Sequence, residues 1–226
     1  VDSGAYTVVV PAFNAAATIA ETIRSALAQT VPPAEIIVID DGSADSTADV
    51  AGAFGAPVRV VRQENTGPGG ATTRGLSETK TPFVATLDSD DLWVPKKAER
   101  QLALLAASPD VAAVFGKLKL FTADASDPRN GRIVPGWTRT TLMMRTALFA
   151  KIGGIVDLPG NLGELVDWLG RAREAGEKLV MIDEVWGLRR IRQGSLSDGR
   201  DPARDRGYVH AAWKAIQRRR SEKPGT

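Results

Sequence analysis

The sequence predicts an α/β protein built on a mixed, mainly parallel sheet with helices on both faces. Two observations carry this. Short apolar, β-branched runs at residues 6–10, 36–39 and 58–61 alternate with helix-like stretches. That β-α-β-α-β order packs as parallel strands joined by crossover helices. Successive runs also end in polar groups, at Asn14, at Asp40–Asp41 and at Asp88–Asp91. Parallel strands are buried on both faces, so such groups belong in the loops beyond the strands' carboxyl ends. Open α/β sheets bind their ligands there.

Each element has a local reason. Tyr6-Thr7-Val8-Val9-Val10 is a buried strand, broken by Pro11-Ala12-Phe13-Asn14. Thr18 and Glu21 have the spacing of a capping box, and Ile19, Ile23, Ala26 and Leu27 recur on one helical face. Ile36-Ile37-Val38-Ile39 runs into Asp40-Asp41-Gly42-Ser43-Ala44-Asp45, where Gly42 permits a tight turn and Ser43 or Asp45 can cap a helix over residues 47–54. After the strand at 58–61 comes Glu64-Asn65-Thr66-Gly67-Pro68-Gly69-Gly70, feeding a short helix at 71–77. Glycines before a helix suit an anion or a close ligand. The spacing fits neither a Walker A loop nor a dinucleotide fingerprint.

The fourth run, at 83–87, ends abruptly in Asp88-Ser89-Asp90-Asp91, and a helix is expected over 96–107. Asp88 and Asp90 can point at one divalent ion, since a hard cation takes oxygen ligands and shares them with phosphates. An acidic turn capping the next helix is the plainer alternative. Strands are expected at 111–115, 117–121, 140–144, 179–182 and 185–188, with a loop at 122–131 and a helix from 145 to 152. Residues 163–172 are helical in pattern, with Glu164, Asp167, Trp168 and Arg171 on one face. An Asp167–Arg171 ion pair is one reading of that face. A final helix covers 208–219 and carries the single histidine, His210.

Composition sets the bounds. With 226 residues, 43% of them hydrophobic, the chain suits one large α/β domain. No run approaches the roughly 20 apolar residues that span a bilayer, and no secretory signal is visible, so a cytoplasmic location is expected. Cysteine is absent, which excludes disulfides, thiolate chemistry and cysteine-based zinc sites. The net charge is only +2, but arginines crowd the last part of the chain. That basic end predicts either a solubilising tail or peripheral contact with an anionic membrane at its inner face. No nucleic-acid module accompanies it, so no nucleic-acid partner is expected.

Three motifs in order resemble one family. Val10-Pro11-Ala12-Phe13-Asn14, Val38-Ile39-Asp40-Asp41-Gly42-Ser43-Ala44-Asp45 and Leu87-Asp88-Ser89-Asp90-Asp91 resemble the opening strand, nucleotide-binding turn and Asp-x-Asp motif of family 2 nucleotide-sugar glycosyltransferases, which have the Rossmann-like GT-A fold. The match covers residues 8–101, and 137–197 more loosely.

The resemblance implies a UDP-, GDP- or dTDP-sugar donor held by residues 1–115, an acceptor half at 116–200, and a C-terminal helix and basic tail at 201–226. Pro11, Ala12, Asn14, Asp40 and Asp41 would line the base and ribose pocket, with Gly69 and Thr72 nearby. Asp88, Ser89, Asp90 and Arg192 would face the sugar and diphosphate. Asp90 and Asp88 would hold Mn²⁺ or Mg²⁺. Glu164 or Asp167 would be the base of an inverting transfer, and Trp168 an acceptor wall. The acceptor would be a small molecule, a glycan or a lipid-linked sugar, and the protein a monomer or homodimer.

The chain also departs from the family pattern. Thr72 and Thr73 replace the usual Arg-Asn, Leu165 replaces the usual catalytic Asp, and Arg192 and Ser195 replace a His and an Asn. A catalytically weak or inactive sugar-nucleotide-binding protein of the same fold is therefore the alternative reading. A nucleotidyltransferase is less well supported, because the first strand is not followed by a glycine-rich basic loop.

Overall fold

The structure, a computed structural model, describes residues 4–124, 126–158, 163–192 and 202–221. A nine-stranded sheet forms its centre, in the order β3-β2-β1-β4-β8-β6-β9-β5, with β7 paired to β6. β1 (Tyr6–Ala12) lies between β2 (Glu35–Asp40) and β4 (Phe83–Thr86), and β2 carries β3 (Val58–Arg62) on its other side. All three pairings are parallel. β8 (Met143–Arg145) joins β4 antiparallel and bridges to β6 (Val111–Phe121). β6 pairs in parallel with β9 (Lys178–Arg190), which carries the two-residue β5 (Leu92–Trp93).

Alternation along β1 sorts the helices onto both faces. Tyr6, Val8 and Val10 pack with Ile19, Ile23 and Ala26 of α1 (Ile19–Leu27), Ala51 of α2 (Thr47–Gly52), and Ala98 and Leu105 of α4 (Lys97–Ala107). Val9, on the opposite face, packs with Leu76 of α3 (Gly67–Ser77), Leu148 of α5 (Thr146–Ile152), and Trp168 and Leu169 of α6 (Glu164–Glu174). Gly75 lets α3 press onto the sheet: a Cβ there would lie 2.3 Å from Val9 Cγ1.

Several expectations are corrected. The runs at 111–115 and 117–121 form one strand, β6, irregular in register around Gly116 where the Trp186 ring lies. Residues 179–182 and 185–188 likewise belong to one strand, β9. α3 begins four residues early, because Gly67-Pro68-Gly69-Gly70 is itself helical and Pro68 stands in the first turn, where its missing N–H costs no hydrogen bond. Residues 139–141 are a one-turn 3-10 helix, with β7 (Ile133–Pro135) before it. α7 (Pro202–Ser221) starts earlier than expected. Thr18 caps nothing with its side chain. Its hydroxyl instead donates to the Ser89 carbonyl at 2.9 Å, tying α1 to the acidic loop.

Candidate active site

The carboxyl ends of β1, β2 and β4 open on the same edge of the sheet, as the parallel pairing requires. At the β1 end, Asn14 adopts the left-handed conformation (φ 48°), which asparagine tolerates better than most residues. Its Oδ1 accepts the Ala44 N–H at 2.9 Å, and its own N–H donates to Ser43 Oγ at 2.9 Å. Pro11 and Ala12 are buried within β1. Asp40 is buried, and its Oδ1 accepts the Ser43 N–H at 3.3 Å.

Asp41 is wholly engaged by the glycine-rich loop. Its Oδ1 accepts from Gln63 Nε2 (2.7 Å) and Thr66 N (2.9 Å), and its Oδ2 accepts from Gly67 N (2.9 Å). Gly69 and Gly70 donate their N–H groups to the two oxygens of Asp157, at 2.8 and 2.7 Å. A Cβ on Gly69 would sit 2.9 Å from Asp157 Oδ1, so only glycine admits this approach. The helix N-terminus expected to suit an anion thus holds the chain's own Asp41 and Asp157. Thr72 is fully buried, with its hydroxyl on the Pro68 carbonyl at 2.6 Å, so it presents no surface to a nucleotide.

The acidic loop after β4 is built differently. Its backbone is held by threonines of α1: Thr22 Oγ1 bonds the carbonyls of Ser89 and Asp91 at 2.9 and 3.0 Å. Its carboxylates face arginines. Asp88 Oδ1 accepts from Arg139 Nε at 2.7 Å, and Arg189 NH2 stands 4.0 Å from Oδ2. Asp91 Oδ2 accepts the Thr140 hydroxyl at 2.5 Å, and Oδ1 accepts the Arg190 N–H at 2.9 Å. Asp90 is the most open of the three, its side chain 23% exposed, with Arg192 NH2 at 3.2 Å from Oδ2. Burial alone would raise the Asp88 pKa, but Arg139 and Arg189 outweigh it and hold the carboxyl below its ordinary range. Asp90 is raised by burial and by neighbouring Asp88. Asp91, the most buried, is pushed up to about 7 by burial and by Asp88.

On the acceptor side, Glu164 opens α6 and joins this cluster. Its Oε1 accepts from Arg139 NH1 at 2.6 Å, so one guanidinium bridges Asp88 and Glu164. Asp167 does not join. It accepts from Arg171 Nε at 3.2 Å and from Arg218 of α7 at 2.7 Å, binding α6 to α7. The Asp167–Arg171 ion pair expected as one reading of this face is therefore present. Trp168 is fully buried with its indole N–H on the Gly153 carbonyl at 2.9 Å, and Leu165 is buried beside it in the core. Trp168 is a core residue, which corrects its assignment as an acceptor wall. Ser195 lies outside the described residues.

Sequence reasoning missed Arg139, Thr140 and Asp157 as neighbours of the site. Arg139 and Thr140 stand in a stretch that reads as the start of a strand, and Asp157 follows a helix end. No local pattern marks any of them.

Among the described residues no three acidic or imidazole side chains cluster to hold a metal ion. Asp88 and Asp91 are spent on Arg139, Thr140 and backbone, whereas Asp90 is accessible. One or two carboxylates completed by phosphate oxygens is a common way to bind Mg²⁺, so the donor set fits a cation brought in with a diphosphate. Asp90 would be its principal protein ligand.

The parallel-stranded crevice, closed by an antiparallel extension, is the architecture of GT-A-type folds. Similar solved structures are S. aureus TarS 1–349 in complex with UDP-GlcNAc (TM-score 0.75, 21% identity, covering 94% of this chain and 66% of that one) and the mannosyltransferase PcManGT from Pyrobaculum calidifontis in complex with GDP-Man and Mn²⁺ (TM-score 0.64, 17% identity, 97% and 76%). The family described as Glycosyl transferase family 2 matches residues 7–163, and the chain belongs to that family. Among curated relatives, an uncharacterized glycosyltransferase of Rickettsia typhi is 39% identical over 98 residues, 43% of this chain and 31% of its own. The succinoglycan biosynthesis protein ExoO of Rhizobium meliloti is 42% identical over 98 residues, 42% and 28%. The matches thus span less than a third of either relative. Among the described residues no helix is long and apolar enough to cross a membrane.

Proposed function

We propose that the chain transfers a sugar from a nucleoside-diphosphate sugar to an acceptor hydroxyl with inversion at the anomeric carbon. The observation that supports this is the bridge Asp88–Arg139–Glu164, in which one guanidinium holds together the carboxylate this reading gives to the diphosphate and the one it gives to the acceptor. Family membership and the sugar-nucleotide ligands of the similar structures support the donor class.

In this reading, Asn14, Asp40 and the β1 and β2 ends flank the base and ribose, whether of UDP, GDP or dTDP. The acceptor oxygen attacks the anomeric carbon as the bond from that carbon to the diphosphate oxygen breaks. Glu164 takes the acceptor proton. Arg189 and Arg192 stand beside the departing diphosphate, where guanidinium groups meet developing negative charge. Mn²⁺ or Mg²⁺ bound at Asp90 would supply Lewis-acid stabilisation of that same charge. The acceptor is a small molecule, glycan or lipid-linked sugar.

The test is release of UDP or GDP from a panel of donors with added Mn²⁺ or Mg²⁺. Turnover that falls at least about 100-fold in Asp90→Ala supports the reading, and turnover unchanged in that variant contradicts it. A second reading, a sugar-nucleotide-binding protein without turnover, is favoured by Leu165. It stands where the family pattern has the catalytic Asp, and it is buried in the core. That reading predicts nucleotide binding with no product from any donor.

A further inference from the structure

Among the described residues, Arg139 is the one side chain that bonds both Asp88 and Glu164. Its Nε donates to Asp88 Oδ1 at 2.7 Å and its NH1 to Glu164 Oε1 at 2.6 Å. The side chain is 13% exposed, so these charge-assisted bonds are shielded from competing water. Burial alone would weaken its proton affinity, but Asp88 and Glu164 more than reverse that and hold the guanidinium charged.

The backbone beneath it is fixed with equal care. The 3-10 turn Arg139–Thr141 receives Thr86 Oγ1 on the Arg139 carbonyl at 2.7 Å, Trp93 Nε1 on the Thr140 carbonyl at 2.7 Å, and Gln101 Nε2 on the Thr141 carbonyl at 2.8 Å. β4, β5 and α4 each contribute one of these anchors. A turn pinned from three elements offers its guanidinium in one place. The Arg139 fork engages a single oxygen of Glu164, and among the described residues the other oxygen, Oε2, accepts no hydrogen bond.

We propose that Arg139 is a positioning residue for sugar transfer: it fixes Glu164 Oε2 toward the acceptor hydroxyl and holds Asp88 at the donor, setting the separation of the two carboxylates. This rests on the transferase reading above. A planar fork with two donors at a fixed angle can span two carboxylates, which an ammonium on a flexible stem cannot do with the same geometry. Arg139 itself transfers no proton and touches no reacting atom. Displacing a catalytic group by about 1 Å can cost on the order of 100-fold in rate, so the effect belongs in kcat rather than in donor binding.

The experiment compares wild type, Arg139→Lys and Arg139→Ala with UDP-N-acetylglucosamine and GDP-mannose as probe donors. It measures kcat and donor KM, UDP affinity, and rescue by guanidinium chloride against sodium chloride at equal ionic strength. Arg139→Ala should lose about 100-fold in kcat with donor KM and UDP affinity within about threefold. Guanidinium, and not sodium, should restore about tenfold of that, and should restore nothing when Glu164→Gln is added. Arg139→Lys should lose at least about tenfold in kcat despite keeping the charge.

A folded Arg139→Ala protein with wild-type kcat, with a loss confined to KM, or with no guanidinium rescue overturns the inference while leaving the transferase reading intact. If Arg139→Ala does not fold, Arg139→Lys decides, and wild-type kcat in it overturns the inference. A wild type that releases nucleotide from no donor in a panel of UDP-, GDP- and dTDP-sugars overturns the transferase reading and this inference with it.

Discussion

The β2 and β4 ends look alike in sequence, each an apolar strand stopping at paired aspartates, yet they satisfy those acids in opposite ways. Asp41 gives its carboxylate to the backbone amides of Thr66 and Gly67 and to Gln63, all at 2.7–2.9 Å. Asp88 and Asp90 instead face Arg139, Arg189 and Arg192, and Asp90 stays the most open. Backbone amides have fixed positions, so Asp41 builds a loop and has little left for a ligand. The exposed guanidinium of Arg192 can swing from a carboxylate to a phosphate. In the proposed reading, the difference separates an acid that holds a loop together, Asp41, from one left open to a ligand, Asp90.

That contrast can be broken by substitution. Asp41→Ala strips a buried carboxylate from two backbone N–H groups and a side-chain amide. It should cost about 3 kcal/mol of folding stability, read from denaturant unfolding. A cost under about 0.5 kcal/mol would show that the loop does not depend on Asp41.

The next effect is a pH dependence at the β4 end. Asp91 is raised from 3.8 to about 7 in the folded protein. Its contribution is therefore fully favourable below the unfolded value and is lost as pH rises through about 7, because the unfolded chain ionises first. Asp91→Asn retains an acceptor for the Arg190 N–H and removes the titration. Its melting temperature should gain on that of wild type between pH 4 and 8, by about the range this linkage spans. Parallel melting curves across that range would contradict the assignment.

The smallest effect is at Arg192. Its pair with Asp90 is 3.2 Å long, and the arginine side chain is 47% exposed. Arg192→Ala should change stability by no more than about 0.5 kcal/mol, as exposed pairs do, while weakening UDP affinity several-fold. A stability loss of several kcal/mol would place Arg192 with Asp41 as a builder of the fold.

Much of this molecule is legible in its sequence. The strands β1, β2 and β4 announce themselves as short, mostly apolar runs because both their faces are buried, whereas the edge strand β3 carries Arg59 and Arg62. The acidic ends of β2 and β4 follow from the same rule, whereas which carboxylate stays open, Asp90, comes only from the structure. What the local pattern hides is pairing over distance. Arg139 meets Asp88 and Glu164 only because β8 folds back antiparallel onto β4. Asp157 reaches the glycine-rich turn from 87 residues away at Gly70. Trp168 shares a helical face with Glu164 by spacing, but α6 turns it into the core while Glu164, at the helix start, stays beside the crevice. Helix boundaries shift where glycine and proline, usual breakers, form the first turn of α3.

The central claim is that Asp90 works in the crevice and Asp41 builds it. The most direct measurement is calorimetric titration of UDP and of GDP, each with Mn²⁺, into wild type and into Asp90→Asn, with unfolding followed in parallel. The account predicts binding to wild type that is enhanced by Mn²⁺, and loss of that enhancement in Asp90→Asn at unchanged stability. Equal Mn²⁺-enhanced binding in the two proteins would contradict it.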